Sequence, residues 1–142
     1  MVYFDTSFLA PLILEEATSA AVEHFLAGLP SGALAISHWT RVEFSSLLAR
    51  EVRMGAMGSE VARGADDQFE AIVAESFVVL TPTVDDFDLA KQYLAEPRTG
   101  LRAGDALHLA IANNRRAEAI YSLDKTLLRA GQAMGLPVSA GI

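Results

Sequence analysis

Val2-Tyr3-Phe4-Asp5-Thr6-Ser7, near the start of the chain, is a short apolar run that ends abruptly in polar residues. An apolar run without alternation is typical of a strand that is covered on both of its faces. The Asp-Thr-Ser sequence that follows is a favourable helix N-cap, because an Asp side chain can accept hydrogen bonds from the free N–H groups of a first turn. The stretch therefore predicts a buried strand that passes directly into a helix.

Four further short runs resemble this first one, and segments with helical periodicity separate them. The runs cover residues 33–36, 77–80, 119–121 and, more weakly, 137–139. Two helical segments that meet near Gly55–Gly58 fill the gap between the second and third runs. Strands that alternate with helices predict a parallel sheet between two layers of helices. We therefore expect a three-layer α/β/α fold with a short, mostly parallel, five-stranded sheet.

The composition is that of an ordinary globular protein. The 142 residues, 51% hydrophobic and 20% charged, suit one domain over residues 1–142. The chain has no cysteine, which excludes disulfides, thiolate zinc sites and cysteine nucleophiles. It has no basic leader and no apolar run of the roughly 20 residues that a membrane span needs. We expect a cytoplasmic protein without membrane contact.

The charge is unevenly distributed along the chain. The net charge of −7 argues against a general nucleic-acid coat protein, but not against a nuclease whose acids await metal ions. Residues 1–96 carry a net charge of −10 and residues 97–142 a net charge of +3. An anionic substrate should therefore favour the C-terminal third, unless its basic residues simply form solvated helix faces. These residues are Arg98, Arg102, Arg115, Arg116, Lys125 and Arg129.

Four acids stand where the predicted fold would place site residues. Asp5 directly follows the first strand, and Glu43 lies in the first turns of the helix after the second strand. Asp105 lies in the first turn of a later helix, and Asp124 comes three residues after the fourth strand. Ligands of open parallel sheets bind beyond the carboxyl ends of the strands. The four side chains are therefore expected to converge.

Such a cluster has a chemical consequence. Carboxylates only a few ångströms apart repel one another and raise each other's pKa unless a cation neutralises them. A set of oxygen ligands without cysteine suits Mg²⁺ or Mn²⁺. These ions can activate water and stabilise the leaving oxygen in phosphodiester hydrolysis. The residues alone also allow simpler roles: Asp5 and Asp124 as helix caps, and Glu43 as a dipole-stabilising acid.

Four segments around these acids resemble the motifs of PIN-domain proteins, and most of all the VapC toxin ribonucleases of toxin–antitoxin pairs. The resemblance spans nearly the whole chain in order, and its third segment is the most specific. The segments are Tyr3-Phe4-Asp5-Thr6-Ser7-Phe8-Leu9, Thr40-Arg41-Val42-Glu43-Phe44, Leu101-Arg102-Ala103-Gly104-Asp105-Ala106-Leu107-His108-Leu109-Ala110 and Ser122-Leu123-Asp124-Lys125-Thr126-Leu127.

The resemblance implies a PIN-like sheet, Mg²⁺ or Mn²⁺ bound by the four acids, and endonucleolytic cleavage of RNA. It also implies a homodimer and inhibition by a cognate antitoxin protein. Thr6 or Ser7, together with Ser122, would orient the carboxylates or a metal-bound water. Arg102 and Lys125 are the candidates for contact with a substrate phosphate. Ser122 stands where threonine is commoner in the family, but it keeps the hydroxyl group.

Two other functions remain open from the sequence. An α/β phosphatase could use Asp5 as a nucleophile, although haloacid-type chemistry needs a second acid two positions later, where the chain has Ser7. A PIN-like scaffold without catalytic activity is the second alternative, and the presence of all four acids gives it no support. His108, one turn after Asp105, could either support the site or pack between helices.

Overall fold

A single sheet of five strands organises the computed structural model, which describes residues 1–142. The strand order is β3-β2-β1-β4-β5, and every neighbouring pair is parallel. The five predicted strands are confirmed within one residue at each end, and the sheet expected to be mostly parallel is entirely so. The strands are β1 (Val2–Phe4), β2 (Leu34–Ser37), β3 (Val78–Leu80), β4 (Ala119–Tyr121) and β5 (Val138–Ser139).

Seven helices connect and cover the strands, and none of them is both long and apolar enough to cross a bilayer. Two helices, α3 and α4, join β2 to β3, as the sequence predicted. Two short 3-10 turns lie at Ala10–Leu12 and Pro97–Thr99. The helices are α1 (Thr6–Leu9), α2 (Ser19–Ala27), α3 (His38–Arg53), α4 (Ser59–Ser76), α5 (Val84–Leu94), α6 (Ala103–Asn114) and α7 (Lys125–Ala133).

The sheet separates two apolar clusters, which confirms the three-layer α/β/α architecture. Tyr3 contributes to the cluster beneath α5, α6 and α7, whereas its neighbour Phe4 contributes to the cluster beneath α1 to α4. Ala35 and Ile36 divide between the two sides in the same way. Both faces of each inner strand are therefore dry, which explains why the strands read as continuous apolar runs.

The strand order reverses beside β1. The chain first adds β2 and β3 on one side of β1, and later adds β4 and β5 on the other side. A crevice for ligands opens at such a switch point, beyond the carboxyl ends of the two central strands. Asp5 and Ser122 are the first residues after β1 and β4, and the backbone N–H of Asp5 still donates to the carbonyl of Tyr121 at 3.1 Å.

Away from this crevice, a buried carboxylate joins the start of α5 to the end of α6. Asp86 is fully buried and accepts hydrogen bonds from Arg115 Nη1 at 2.6 Å, Asn114 Nδ2 at 2.7 Å and the backbone N–H of Thr83 at 2.8 Å. Burial alone would raise the pKa of Asp86, but these three donors hold it below its usual range. The ionised carboxylate therefore stabilises the packing of these two helices.

Candidate active site

A cavity of about 570 Å³ lies at the carboxyl ends of the strands, and all four acids predicted from the sequence line it. Each acid comes from a different part of the fold: Asp5 from the end of β1, Glu43 from α3, Asp105 from α6 and Asp124 from the start of α7. Thr6, Ser7 and His108 line the same cavity. The topology thus brings together acids that are up to 119 positions apart in the sequence.

Asp5 is nearly inaccessible and is held by two hydroxyl groups, one from α1 and one that directly follows β4. Its side chain accepts hydrogen bonds from Ser7 Oγ at 2.8 Å, from Ser122 Oγ at 2.6 Å and from the backbone N–H of Phe8 at 3.0 Å. Burial raises the pKa of Asp5, while the charge of His108 and these donors oppose the shift. The last of these bonds caps α1, so one carboxylate both caps a helix and faces the cavity.

Glu43 is held from two directions. His108 Nε2 and Thr6 Oγ1 both donate to its Oε1 atom, the latter at 2.6 Å. On its other side, the His108 ring places Nδ1 at 2.8 Å from the hydroxyl of Tyr3, which in turn lies 3.0 Å from Ser37 Oγ. Burial would lower the pKa of His108, but its contacts with Tyr3 and Glu43 raise it to about 10. These contacts therefore favour the protonated form of His108, which forms an ion pair with Glu43.

Burial would raise the pKa of Glu43, but the contacts with His108 and Thr6 lower it below its usual range. The sequence left the role of His108 open between supporting the site and packing between helices. Its position in an apolar helix was a signal of burial, but nothing in the sequence indicated a partner 65 residues away.

Asp105 and Asp124 form the more open side of the cavity, and both are half-buried. Burial raises the pKa of Asp105, and the nearby charges of Asp124 and Asp5 raise it further. These three carboxylates therefore lie within electrostatic reach of one another. Asp124 also caps α7, because its Oδ1 accepts the backbone N–H groups of Thr126 at 2.7 Å and Leu127 at 2.9 Å.

The start of α6 approaches Glu43 very closely at Gly104. A Cβ atom at this position would lie 2.6 Å from Glu43 Oε2 and 3.3 Å from Trp39 Nε1, so only glycine fits without displacing a neighbour. The buried Nε1 of Trp39 makes no hydrogen bond of good geometry, yet it contributes to the lowered pKa of Glu43. The glycine therefore allows α6, which carries Asp105, to pack directly against the Glu43 side chain.

The donor chemistry of the cavity fits a hydrated divalent ion. No three of its acid and histidine side chains converge closely enough to form a complete coordination cage. Mg²⁺ does not require such a cage, because it retains several waters and binds through one or two carboxylates together with substrate phosphates. The Asp105 carboxylate has only a backbone contact with Arg102, and the Oδ2 atom of Asp124 accepts no hydrogen bond, so both acids have oxygens available for an ion.

Three arginines line the cavity: Arg50 and Arg53 from the end of α3, and Arg102 at the N-cap of α6. Lys125, the other predicted phosphate contact, is exposed at the start of α7 and does not line the cavity. The expected preference of an anionic substrate for the C-terminal third stays a prediction, and the cavity also has basic residues from another part of the chain. Two of the three arginines come from the acid-rich part of the chain, and helical periodicity gave no means of placing them beside Asp5 and Asp105.

Comparison with known proteins supports the fold and gives the family. A PIN domain family model matches residues 2–132. No curated protein matches the chain at a significant level. Among solved structures, the chain is similar to VapC20 of Mycobacterium tuberculosis, described as a Sarcin-Ricin loop cleaving toxin, with 22% identity, 96% of each chain covered and a TM-score of 0.73.

Two further structures share the fold at lower identity. FitAcB from Neisseria gonorrhoeae is 15% identical, with 99% of this chain and 98% of that chain covered and a TM-score of 0.76. VapBC2 from Rickettsia felis, bound to a DNA fragment from its promoter, is 11% identical, with 98% of each chain covered and a TM-score of 0.69. Since the family model spans nearly the whole chain and the fold agrees, the chain belongs to the PIN domain family.

Proposed function

We propose that the chain is a Mg²⁺- or Mn²⁺-dependent endoribonuclease that hydrolyses RNA phosphodiester bonds, and that it is the toxin of a toxin–antitoxin pair. The observation that carries this proposal is the convergence of Asp5, Glu43, Asp105 and Asp124 in one cavity at the switch point of a PIN fold. The pKa values of Asp5 and Asp105 are raised in this cavity, and a divalent cation would relieve the cost of ionising these two carboxyl groups.

The residues that line the proposed site have different roles in it. When bound, the ion supplies a water of lowered pKa and stabilises negative charge that develops on the phosphate. Asp105 and Asp124 would hold the ion, because neither carboxylate accepts a hydrogen bond from another side chain. Ser7 and Ser122 hold the carboxylate of Asp5 in place, and Thr6 does the same for Glu43. Arg102 neutralises a phosphate at the rim of the cavity, whereas Lys125 is left with a weaker, peripheral role.

The proposed partners follow from the structures that share the fold. Those from Rickettsia felis and nontypeable Haemophilus influenzae are described as VapBC proteins, and we infer that this chain has a cognate antitoxin too. A cavity rich in carboxylates would accept an arginine-bearing segment of such an inhibitor. We also propose that the chain forms a homodimer and acts in the cytoplasm, as a single domain over residues 1–142.

Cleavage of RNA by the purified protein tests the nuclease proposal. The wild-type chain should cut RNA internally with Mn²⁺ or Mg²⁺ and not with EDTA, and Asp105→Asn should remove most of the activity at an unchanged fold. Asp66→Asn is the matched control, because Asp66 lies on α4 outside the cavity. A wild-type protein that binds metal but cleaves no RNA would be the silent scaffold. Release of phosphate from a monoester without RNA cleavage would indicate the phosphatase.

Co-expression tests the toxin proposal separately. Expression of the chain alone should arrest growth, and expression with the small protein encoded beside it should restore growth and give a stable complex. Growth that is unaffected by the chain, together with no binding to its neighbour, would contradict the toxin assignment while leaving the nuclease assignment to the cleavage assay.

A further inference from the structure

The last two turns of α3 carry two arginines that have no partner within the protein. Arg50 and Arg53 are exposed, and neither forms an ion pair with any of the 18 acids of the chain. Only three arginines of the chain form ion pairs: Arg41 with Glu70 at 2.9 Å, Arg98 with Glu96 at 2.9 Å and Arg115 with Asp86 at 2.6 Å. Arg50 and Arg53 stay free even though they line a cavity that contains four carboxylates.

Helical spacing places these arginines in line with the proposed metal site. Glu43, Leu47, Arg50 and Arg53 follow one another at intervals of four, three and three residues, and all four line the cavity. At a rise of 1.5 Å per residue, Arg50 lies roughly 10 Å and Arg53 roughly 15 Å along the helix axis from Glu43. One face of α3 therefore changes from acidic at the site to basic at its end.

Because Glu43 belongs to the proposed metal site, a ligand that reaches from the bound ion to both arginines must be an extended polyanion. Guanidinium groups bind phosphate oxygens through paired N–H donors, and they do so without reading a base. The cavity lining includes no tryptophan, tyrosine or phenylalanine on which a base could stack. The contacts are therefore with the backbone of a nucleic acid, and they tolerate different sequences.

We propose that Arg50 and Arg53 bind successive phosphates of the RNA strand on one side of the cleaved bond and so set how the strand enters the site. This inference rests on the proposed function for the identity of the polyanion. The arginines hold substrate and do not take part in bond cleavage. Their removal should weaken binding of the substrate without slowing its conversion once bound.

A charge-matched pair of double variants tests the inference. Arg50→Gln with Arg53→Gln removes the two proposed contacts, and Arg63→Gln with Lys91→Gln removes the same charge from α4 and α5, outside the cavity. The measurements are KM and kcat on a short mixed-sequence RNA with Mn²⁺, and binding of the same labelled RNA by fluorescence anisotropy in EDTA over a salt series. Melting temperatures of both variants should equal that of the wild type, because all four substituted side chains are exposed.

The first variant should raise KM by about tenfold or more at an unchanged kcat, since each charged hydrogen bond contributes about that factor. The slope of log K against log salt should become shallower by about 1.4, which corresponds to two single-strand phosphate contacts. Equal changes in both variants, no change in either, or a fall in kcat alone would overturn the inference. An acidic protein partner on these arginines would give unchanged RNA binding.

The two proposals can fail independently. A wild-type chain that binds RNA but does not cleave it would contradict the nuclease, while the difference in salt slope would still decide the role of Arg50 and Arg53. A chain that neither binds nor cleaves RNA overturns both.

Discussion

His108 donates a hydrogen bond from Nε2 to Oε1 of Glu43, and this contact joins two helices that cover opposite faces of the sheet. The bond lies at the edge of the sheet where α3 and α6 can meet, beyond the carboxyl ends of the strands. The orientation of Glu43 therefore depends on how both layers of helices pack. A substitution that shifts a helix in either layer should therefore change the orientation of Glu43 more than it changes the overall fold.

His108→Leu should reduce the free energy of unfolding by about 1–3 kcal/mol, because Glu43 and Tyr3 both lose a buried partner. A double-mutant cycle with Glu43→Gln separates the free energy of the His108–Glu43 interaction from that of the other contacts that His108 makes. We expect a coupling free energy of about 1 kcal/mol or more in urea unfolding at pH 7. Strictly additive effects would show that the two side chains do not stabilise each other.

Gly104→Ala should lower RNA cleavage sharply while changing stability little. The new Cβ would lie 2.6 Å from Glu43 Oε2, and the carboxylate has to turn away from His108 to relieve the overlap. In the helix itself, alanine in place of glycine contributes about 0.5–1 kcal/mol of stability, which offsets part of the lost contacts. The measurements are kcat with Mn²⁺ and the melting temperature.

Gly64→Ala is the control for this variant. Gly64 also lies within a helix, and nothing is within 4 Å of where its Cβ would be. The free energy of unfolding of this variant should rise by about 0.5–1 kcal/mol, and its activity should equal that of the wild type. If both glycine variants cleave RNA equally well, the close approach of α6 to Glu43 is unimportant for the site.

Asp86→Asn should reduce the free energy of unfolding at pH 7 by about 2–4 kcal/mol, because it removes a buried charge that Arg115 and Asn114 both contact. The pKa of Asp86 is below its ordinary value of 3.8 in the folded chain. Its ionisation therefore contributes stability that is present above pH 3.8 and is lost as the pH falls through the lower, folded value. The gap between wild type and variant should narrow in acid.

Urea unfolding of both proteins at pH 7 and near pH 3 measures this gap. Asp88→Asn serves as the control, since Asp88 lies on the same helix but is exposed. This substitution should leave the free energy of unfolding unchanged at either pH. A gap that stayed constant with pH would mean that the hydrogen bonds to Asp86, rather than its charge, carry the stabilisation.

Asp105→Asn should melt higher than the wild type in EDTA and respond weakly to Mn²⁺. Burial and the charges of Asp124 and Asp5 disfavour the ionised form of Asp105. A neutral side chain at this position therefore removes that unfavourable free energy when no metal ion is bound. For the wild type, an ion at about 100 times its dissociation constant adds roughly 2.7 kcal/mol, or about 5–10 °C in melting temperature. Equal metal responses in the two proteins would remove Asp105 from the ion's ligands.

The sequence carried enough information for the fold because strand runs and helical periods are local properties. β1 and β4 were predicted at their observed bounds, and the rule that places ligands at strand ends was sufficient to group Asp5 with Asp105. The partner of His108 was not predictable in this way. A period shows which side of a helix is buried, but it does not show which distant element that side meets.

The positions of the basic residues relative to the cavity were also not predictable from local sequence patterns. Net charge along the chain suggested the C-terminal third, yet Arg50 and Arg53 reach the cavity because α3 is long enough to extend past Glu43. Lys125 follows Asp124 directly, but neighbouring residues at a helix start point in different directions. Proximity in sequence to an acid was therefore a poor guide to proximity in space.

The bond from Ser122 to Asp5 has a consequence for synthesis of the chain. Its two residues are 117 positions apart, and β1 pairs with β4 only when most of the polypeptide has been made. Contacts of such sequence separation form late and slowly. A chain still emerging from the ribosome carries Asp5 and Glu43 without the groups that hold or complete them. The candidate site is therefore complete only after the last third of the molecule has folded back on the first strand.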